Sequence, residues 1–236
     1  MLVFGHRGAC GYLPENTIES MELAFEQGAD AVEFDVVFTK DGQAVIRHDL
    51  DLASTTDIND HSFLSTKIDQ LTKDDVSRLR AKERYPDGRV DSASQDGKYF
   101  VPTLRQLLGH QQFNGKHLII EIKHGAHFEA LGIDPIQEVK ALLEQSDWSS
   151  RGMKISLESF EFEFLKRAKL EIGPEISYVF LSARDTLPEG ITELTDDLLV
   201  EIADNFDAVS VAMSMVLTGD LVARAKKMGL DIYAFT

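Results

Sequence analysis

Short apolar runs alternate with segments of helical period along most of the chain. Leu2 to Gly5 opens as a strand, and Ile18, Met21, Ala24 and Phe25 then recur at the three- and four-residue spacing of a helix with one apolar face. Asn16 reads as the N-cap of that helix with Glu19 as its capping-box partner, and Gly28 ends it. Ala31 to Phe38 is a second strand and Leu118 to Ile122 a third. Asp134-Pro135 caps a helix reaching about Ser146, and Lys154 to Glu158, Ile176 to Leu181, Asp207 to Val211 and Leu230 to Phe235 read as further strands. Helical stretches at Phe162 to Lys169, Asp196 to Ala203 and Asp220 to Met228 separate the later ones. Alternation of this kind predicts a parallel sheet with crossover helices.

One connection departs from the rhythm. Only Thr39 to Gln43 separate Phe38 from Ala44-Val45-Ile46, too few for a parallel crossover, and Asp41-Gly42 is a hairpin signal. Ala44 to Arg47 should therefore run back antiparallel and return His48 toward the Glu33 and Asp35 end. Asp51 to Val101 is polar and Ser/Thr/Asp-rich, with one helix expected near Lys73 to Arg80. Its length marks an insertion with a function, such as a substrate-side cap, and Pro102-Thr103-Leu104 restarts a helix after it. Without the hairpin return there are seven barrel strands. A closed (β/α)8 barrel needs eight, so the last βα unit is expected to be missing from this chain.

Composition narrows the function. With 24 Lys+Arg against 40 Asp+Glu the formal charge is −16, which counts against nucleic acid or an anionic membrane as partner. Any bound phosphate would need a local positive centre. Cys10 is the only cysteine, so neither an intrachain disulfide nor a cysteine zinc site is available. The N-terminus has no leader pattern and no apolar stretch approaches membrane-spanning length, giving the expectation of a cytoplasmic protein without stable membrane insertion. The oligomeric state is left open.

The candidate chemistry sits at strand ends. Period-two alternation sends Glu33 and Asp35 to one face and Phe34 to the other. Two like charges at ~4 Å repel by about 4 kcal/mol at an effective dielectric of about 20, so the pair needs a proton, a cation or distance. Glu121 is a third carboxylate in an apolar strand, with Lys123 two positions on. Such a set suits Mg²⁺ or Ca²⁺ better than zinc; the plainer reading is pairing with Lys or Arg on neighbouring strands. His6 and His48 end their strands and could act as acid and base, while Arg7 and Lys123 could hold a phosphate. His61, His110, His117, His124 and His127 read as surface or loop residues, and Ser159 as an ordinary loop serine.

His6-Arg7-Gly8, Pro14-Glu15-Asn16-Thr17, Glu33-Phe34-Asp35-Val36, Thr39-Lys40-Asp41-Gly42, His48-Asp49, Pro102-Thr103-Leu104, Glu121-Ile122-Lys123 and Ser159-Phe160, in this order, resemble the glycerophosphodiester phosphodiesterase family. The resemblance covers nearly the whole chain. It implies a single domain over residues 1–236, a (β/α)8 TIM barrel of the phospholipase C-like phosphodiesterase type with an insertion at about Asp51 to Val101. It also implies a divalent cation on Glu33, Asp35 and Glu121, His6 and His48 as the acid/base pair, and Arg7 and Lys123 on the phosphate. The implied reaction releases glycerol 3-phosphate and an alcohol from a glycerophosphodiester, within glycerol and lipid metabolism. Phe235 stands where the family usually has Trp. The alternatives are a lysophospholipid or phosphoinositol-type phosphodiesterase on the same scaffold, for which Phe63 and Leu64 are the hint, or a catalytically silent phosphodiester-binding module.

Overall fold

The structure, a computed structural model, describes residues 1–187, 189, 192–217 and 219–236. The chain divides into two compact units, Met1–Ile155 and Ser156–Thr236. No helix among the described residues is long and apolar enough to cross a membrane.

The first unit is built on β1 (Phe4–His6), β2 (Ala31–Phe38), β3 (Ala44–Ile46) and β4 (His117–Ile122). β2 is its spine: all eight residues are buried, β1 and β4 flank it in parallel, and β3 pairs with its far end antiparallel. The β2–β3 turn closes because Gly42 takes a positive φ of 77° and Thr39 Oγ1 donates to Asp41 Oδ1 at 2.6 Å. As expected from its five-residue link, β3 returns antiparallel, with Val36 opposite Ile46.

Several local expectations shift. The first strand is Phe4–His6 rather than Leu2 to Gly5, because its parallel register runs Phe4 to Ala31 through His6 to Glu33 and leaves Leu2 and Val3 exposed. Thr17, not Asn16, caps helix Ile18–Glu26 by accepting the Ser20 N–H at 3.2 Å. His117 is no surface residue: β4 begins there, and the half-buried ring meets Phe4 edge-on at 6.3 Å.

In the insertion the helix expected to run to Arg80 is shorter, Lys73–Val76, closed by a Thr72/Asp75 capping box. The insertion adds a second short helix at Val90–Ala93, two 3₁₀ turns and isolated bridges such as Thr56 to Ala81. Its buried Leu52, Ile58, Ile68, Leu71, Val76 and Leu79 form a small core without regular period.

The second unit continues the alternation. β5 (Lys154–Ser159) begins just before it, followed by β6 (Ser177–Ser182), β7 (Ala208–Ala212) and β8 (Asp231–Phe235), each parallel to the next. Helices Phe162–Ile172, Asp196–Asn205 and Leu221–Lys227 cross between them. Phe162, Phe180 and Phe206 pack under these helices with ring centroids 5.0 to 5.9 Å apart. Among the described residues seven strands are parallel to a neighbour and β3 alone is antiparallel.

Candidate active site

Strand register assembles the first part of the site. Pairing β1 with β2 puts His6 beside Glu33, and pairing β2 with β4 puts Asp35 beside Glu121. Two alternate residues of β2 thus each gain a neighbour of catalytic type, while Phe34 between them is fully buried on the opposite face. His6 Nε2 lies 3.7 Å from Glu33 Oε2. The hairpin return brings His48 close enough for its charge to be felt at both His6 and Asp35.

The loop after β1 is strained where it meets this cluster. Arg7 and Asn16 both adopt left-handed backbone (φ 58° and 60°), which costs a non-glycine residue of order 1 kcal/mol or more each. Between them Gly8, at φ 85°, lets the loop lie on the first turn of helix Ile18–Glu26; a Cβ there would sit 2.5 Å from Ser20 Oγ and 2.6 Å from the Ser20 carbonyl carbon. The strain is held by hydrogen bonds. Arg7 N–H donates to Glu33 O at 2.9 Å, Asn16 N–H donates to Arg7 O at 3.1 Å, and the Asn16 amide clasps Asp35, donating to Oδ2 at 2.8 Å and accepting its N–H at 3.2 Å. This clasp is why Asn16 is not the helix cap.

Electrostatics set the carboxylates apart. Burial works against the Asp35 charge, but Arg7, His48, Lys123 and Asn16 together hold this carboxyl below its ordinary range. Burial first and the Asp35 charge second push Glu121 up, in spite of Lys123 Nζ at 2.7 Å. Arg7 Nε sits 3.2 Å from Asp35 Oδ2. The plainer expectation is therefore met in part, since Arg7 and Lys123 do pair with these carboxylates.

Those two cations face three buried carboxylates. Asp35 Oδ1 is buried and accepts no hydrogen bond, with Lys123 Nζ 3.9 Å away. An orphaned carboxylate oxygen beside a carboxyl driven toward its neutral form, in an all-oxygen donor set, fits a hard divalent cation. One edge of His6 meets solvent, with 39% of its side chain exposed. Burial of the rest and the Arg7 charge nevertheless push the ring down to about 4, so it is neutral at physiological pH.

His48 is held differently. Its Nδ1 lies 2.6 Å from Asp49 Oδ1, an arrangement that orients an imidazole and selects its tautomer. Burial opposes the Asp49 charge, yet hydrogen bonds from His48 and Arg84 hold this carboxyl far below its usual range.

Reading the residues alone passed over several buried polar and charged groups. Glu15, with 2% of its side chain exposed, accepts from Arg7 and from Arg84 of the insertion. Arg47 is fully buried, donating to the carbonyls of Glu15 and Asn16 at 2.9 and 3.1 Å, and burial pushes it down to about 10. Within the second unit, β5 buries the carboxylate of Glu158, while Ser159, also buried, ends the strand and accepts the Glu161 N–H at 3.2 Å. Glu158 carries the same signal as Glu121, a carboxylate inside an apolar strand.

The profile of the glycerophosphoryl diester phosphodiesterase family matches residues 6–236. The chain belongs to this family. A glycerophosphodiester phosphodiesterase of Haemophilus influenzae is 28% identical over 202 residues, covering 74% of this chain and 54% of that protein. A crystal structure from Silicibacter pomeroyi aligns with all of the chain and 82% of its own (TM-score 0.83, 27% identity). A structure of an Oleispira antarctica phosphodiesterase in complex with the product sn-glycerol-3-phosphate aligns with all of the chain and 84% of its own (TM-score 0.77, 24% identity). The fold class of the family is the (β/α)8 barrel, and these likenesses place this chain in it. The chain spans between half and two thirds of the length of the first curated relatives it matches.

Proposed function

We propose that the protein hydrolyses glycerophosphodiesters to glycerol 3-phosphate and an alcohol. The observation that carries this reading is the meeting, in one unit, of two strand-end histidines with different partners, Glu33 for His6 and Asp49 for His48, around an arginine and three buried carboxylates. Membership of the family supports it, as does the product held by the Oleispira antarctica phosphodiesterase.

Glu33, Asp35 and Glu121 would hold the divalent cation, Mg²⁺ or Ca²⁺. When bound, it supplies positive charge to a non-bridging phosphate oxygen. Arg7 offers guanidinium N–H groups to the same phosphate, and Lys123 adds a point charge. One histidine takes the proton of the attacking hydroxyl, which is either water or the adjacent glycerol 2-hydroxyl. The other gives its proton to the departing alkoxide as the P–O bond breaks, so the two rings end the step with exchanged protonation states. Attack by the 2-hydroxyl leaves a cyclic phosphate, which water then opens to glycerol 3-phosphate with the two histidines in reversed roles. The carboxylates on either side stabilise whichever imidazole is cationic.

The deciding experiment is coupled detection of glycerol 3-phosphate from glycerophosphocholine and glycerophosphoethanolamine, with EDTA, Mg²⁺ or Ca²⁺. Release abolished by EDTA and restored by either ion is expected. Absence of release with every ion, from a sample shown to be folded, overturns the reading in favour of a lysophospholipid substrate or a silent binding module.

A further inference from the structure

Two arginines of the insertion reach Glu15: Arg89 Nη1 stands 3.9 Å from Oε2, while Arg84 hydrogen-bonds to Glu15 and to Asp49 as well. Arg84 Nη1 donates to Asp49 Oδ2 at 2.5 Å, and its Nη2 donates to Glu15 Oε1 at 2.8 Å. Glu15 Oε1 also takes Arg7 Nη1 at 3.1 Å, while the other oxygen of Asp49 meets His48 Nδ1 at 2.6 Å. The result is a continuous chain of charge-assisted contacts, Arg7 to Glu15 to Arg84 to Asp49 to His48. A planar fork bridging two carboxylates defines direction as well as charge, which a lysine ammonium cannot do.

The two carboxylates that Arg84 bridges differ in burial. Glu15 is almost wholly buried, whereas 29% of the Asp49 side chain and 28% of that of His48 are exposed. Asp49 by itself could rotate away from the ring. Arg84 ties its outer oxygen to a buried anchor, leaving the inner oxygen aimed at Nδ1. The segment carrying Arg84 is itself fixed: Glu83 accepts the Tyr85 N–H at 2.8 Å and the Ser92 hydroxyl at 2.5 Å, and its own N–H donates to Asp96 Oδ1 at 2.7 Å.

We infer that Arg84 is a positioning residue which, braced on Glu15, holds Asp49 so that His48 carries its proton on Nδ1 and presents Nε2 to the substrate. The insertion is then a working part of the acid/base apparatus. This rests on the acid/base role proposed above for His48.

The test pairs kinetics with a readout of the ring itself. The wild-type protein, labelled with ¹⁵N-histidine, should show an Nδ1–H proton resonance downfield of the amides, assigned by its loss in His48→Gln. Arg84→Met should lower kcat by about tenfold to a hundredfold with KM changed less than about threefold, and should lose or broaden that resonance. Added guanidinium should restore both. Arg80→Met, which removes a guanidinium of the same insertion packed 3.4 Å over the Phe100 ring, should leave both unchanged. Should Arg84→Met not fold, Arg84→Lys carries the test, with reduced kcat and a broadened resonance expected because an ammonium cannot bridge both carboxylates in the same plane. A normal resonance with normal kcat in the folded Arg84 variant, or equal losses in Arg80→Met, overturns the inference. Should the wild type release no glycerol 3-phosphate, the proposed reaction fails on its own, and the resonance still decides whether Arg84 positions the ring.

Discussion

The two compact units use the same alternation of strand and helix and spend it differently. Among the described residues, the first buries Glu15, Glu33, Asp35, Arg47, Glu83 and Glu121, whereas the second buries only one charged side chain, Glu158, beside Ser156, Ser159, Ser182 and Ser210. The left-handed non-glycine residues Arg7, Asn16, His124 and Asp147 also all fall in the first. Burying charge and holding strained backbone both cost stability, so each persists only where surrounding contacts over-determine it. The first unit supplies those contacts through two features the second lacks among its described residues, an antiparallel hairpin and a long insertion.

The strongest way to break this contrast is to remove the histidines. His6→Ala and His48→Ala should each lower kcat by about 10²- to 10⁴-fold with much smaller changes in KM, measured by glycerol 3-phosphate release. Near-normal rates in both would leave the charged unit without a catalytic reason for its cost.

Next in size is the loop that holds Arg7 and Asn16. Gly8→Ala combines a positive φ with a Cβ inside contact distance of the next helix, and should cost about 3 kcal/mol in urea unfolding. Gly28→Ala shares the positive φ but meets nothing within 4 Å, so it should cost only about 1 kcal/mol. Equal effects at the two positions would show that close packing against the helix is not what fixes the loop.

The smallest effect is on acid stability. Asp49 titrates lower in the folded protein than in the unfolded chain, so what it contributes is complete above about pH 4 and drains away as pH falls toward its folded value. Asp49→Asn should flatten the pH dependence of the urea midpoint below about pH 4 by less than about 1 kcal/mol, because water screens this part-exposed group.

Much of the architecture was legible in the sequence because each β/α repeat writes its own period into a short window. The helix at Pro135–Gln145 ends where Asp134 and Ser146 predict, and β2 matches its apolar run residue for residue. Glu33, Asp35 and Glu121 were visible as carboxylates inside apolar strands and His6 as a histidine at a strand end, and strand register brings them together. Glu15, Arg47 and Arg84 were not, since their significance lies in partners tens of residues away. Arg84 and Glu15 stand 69 positions apart, and nothing local distinguishes that arginine from a solvated one. Asn16 misled for a related reason: its residue type suits a cap, and only the distant Asp35 reveals what its amide does. The insertion resisted reading because isolated bridges, hydrogen bonds such as Ser92 to Glu83 and the Arg89–Glu83 ion pair, not amphipathic elements, hold much of it.

Where the insertion enters the chain bears on how freely it can change. It lies between β2 and β4, which pair directly, and it roughly triples the length of chain joining them. Because closure entropy grows only with the logarithm of loop length, that added length costs the fold about 1 kcal/mol. A segment so cheap to carry can be lengthened, shortened or exchanged with little penalty to the fold. What such an exchange must keep, on the reading developed for Arg84, is a single guanidinium delivered to the same two carboxylates.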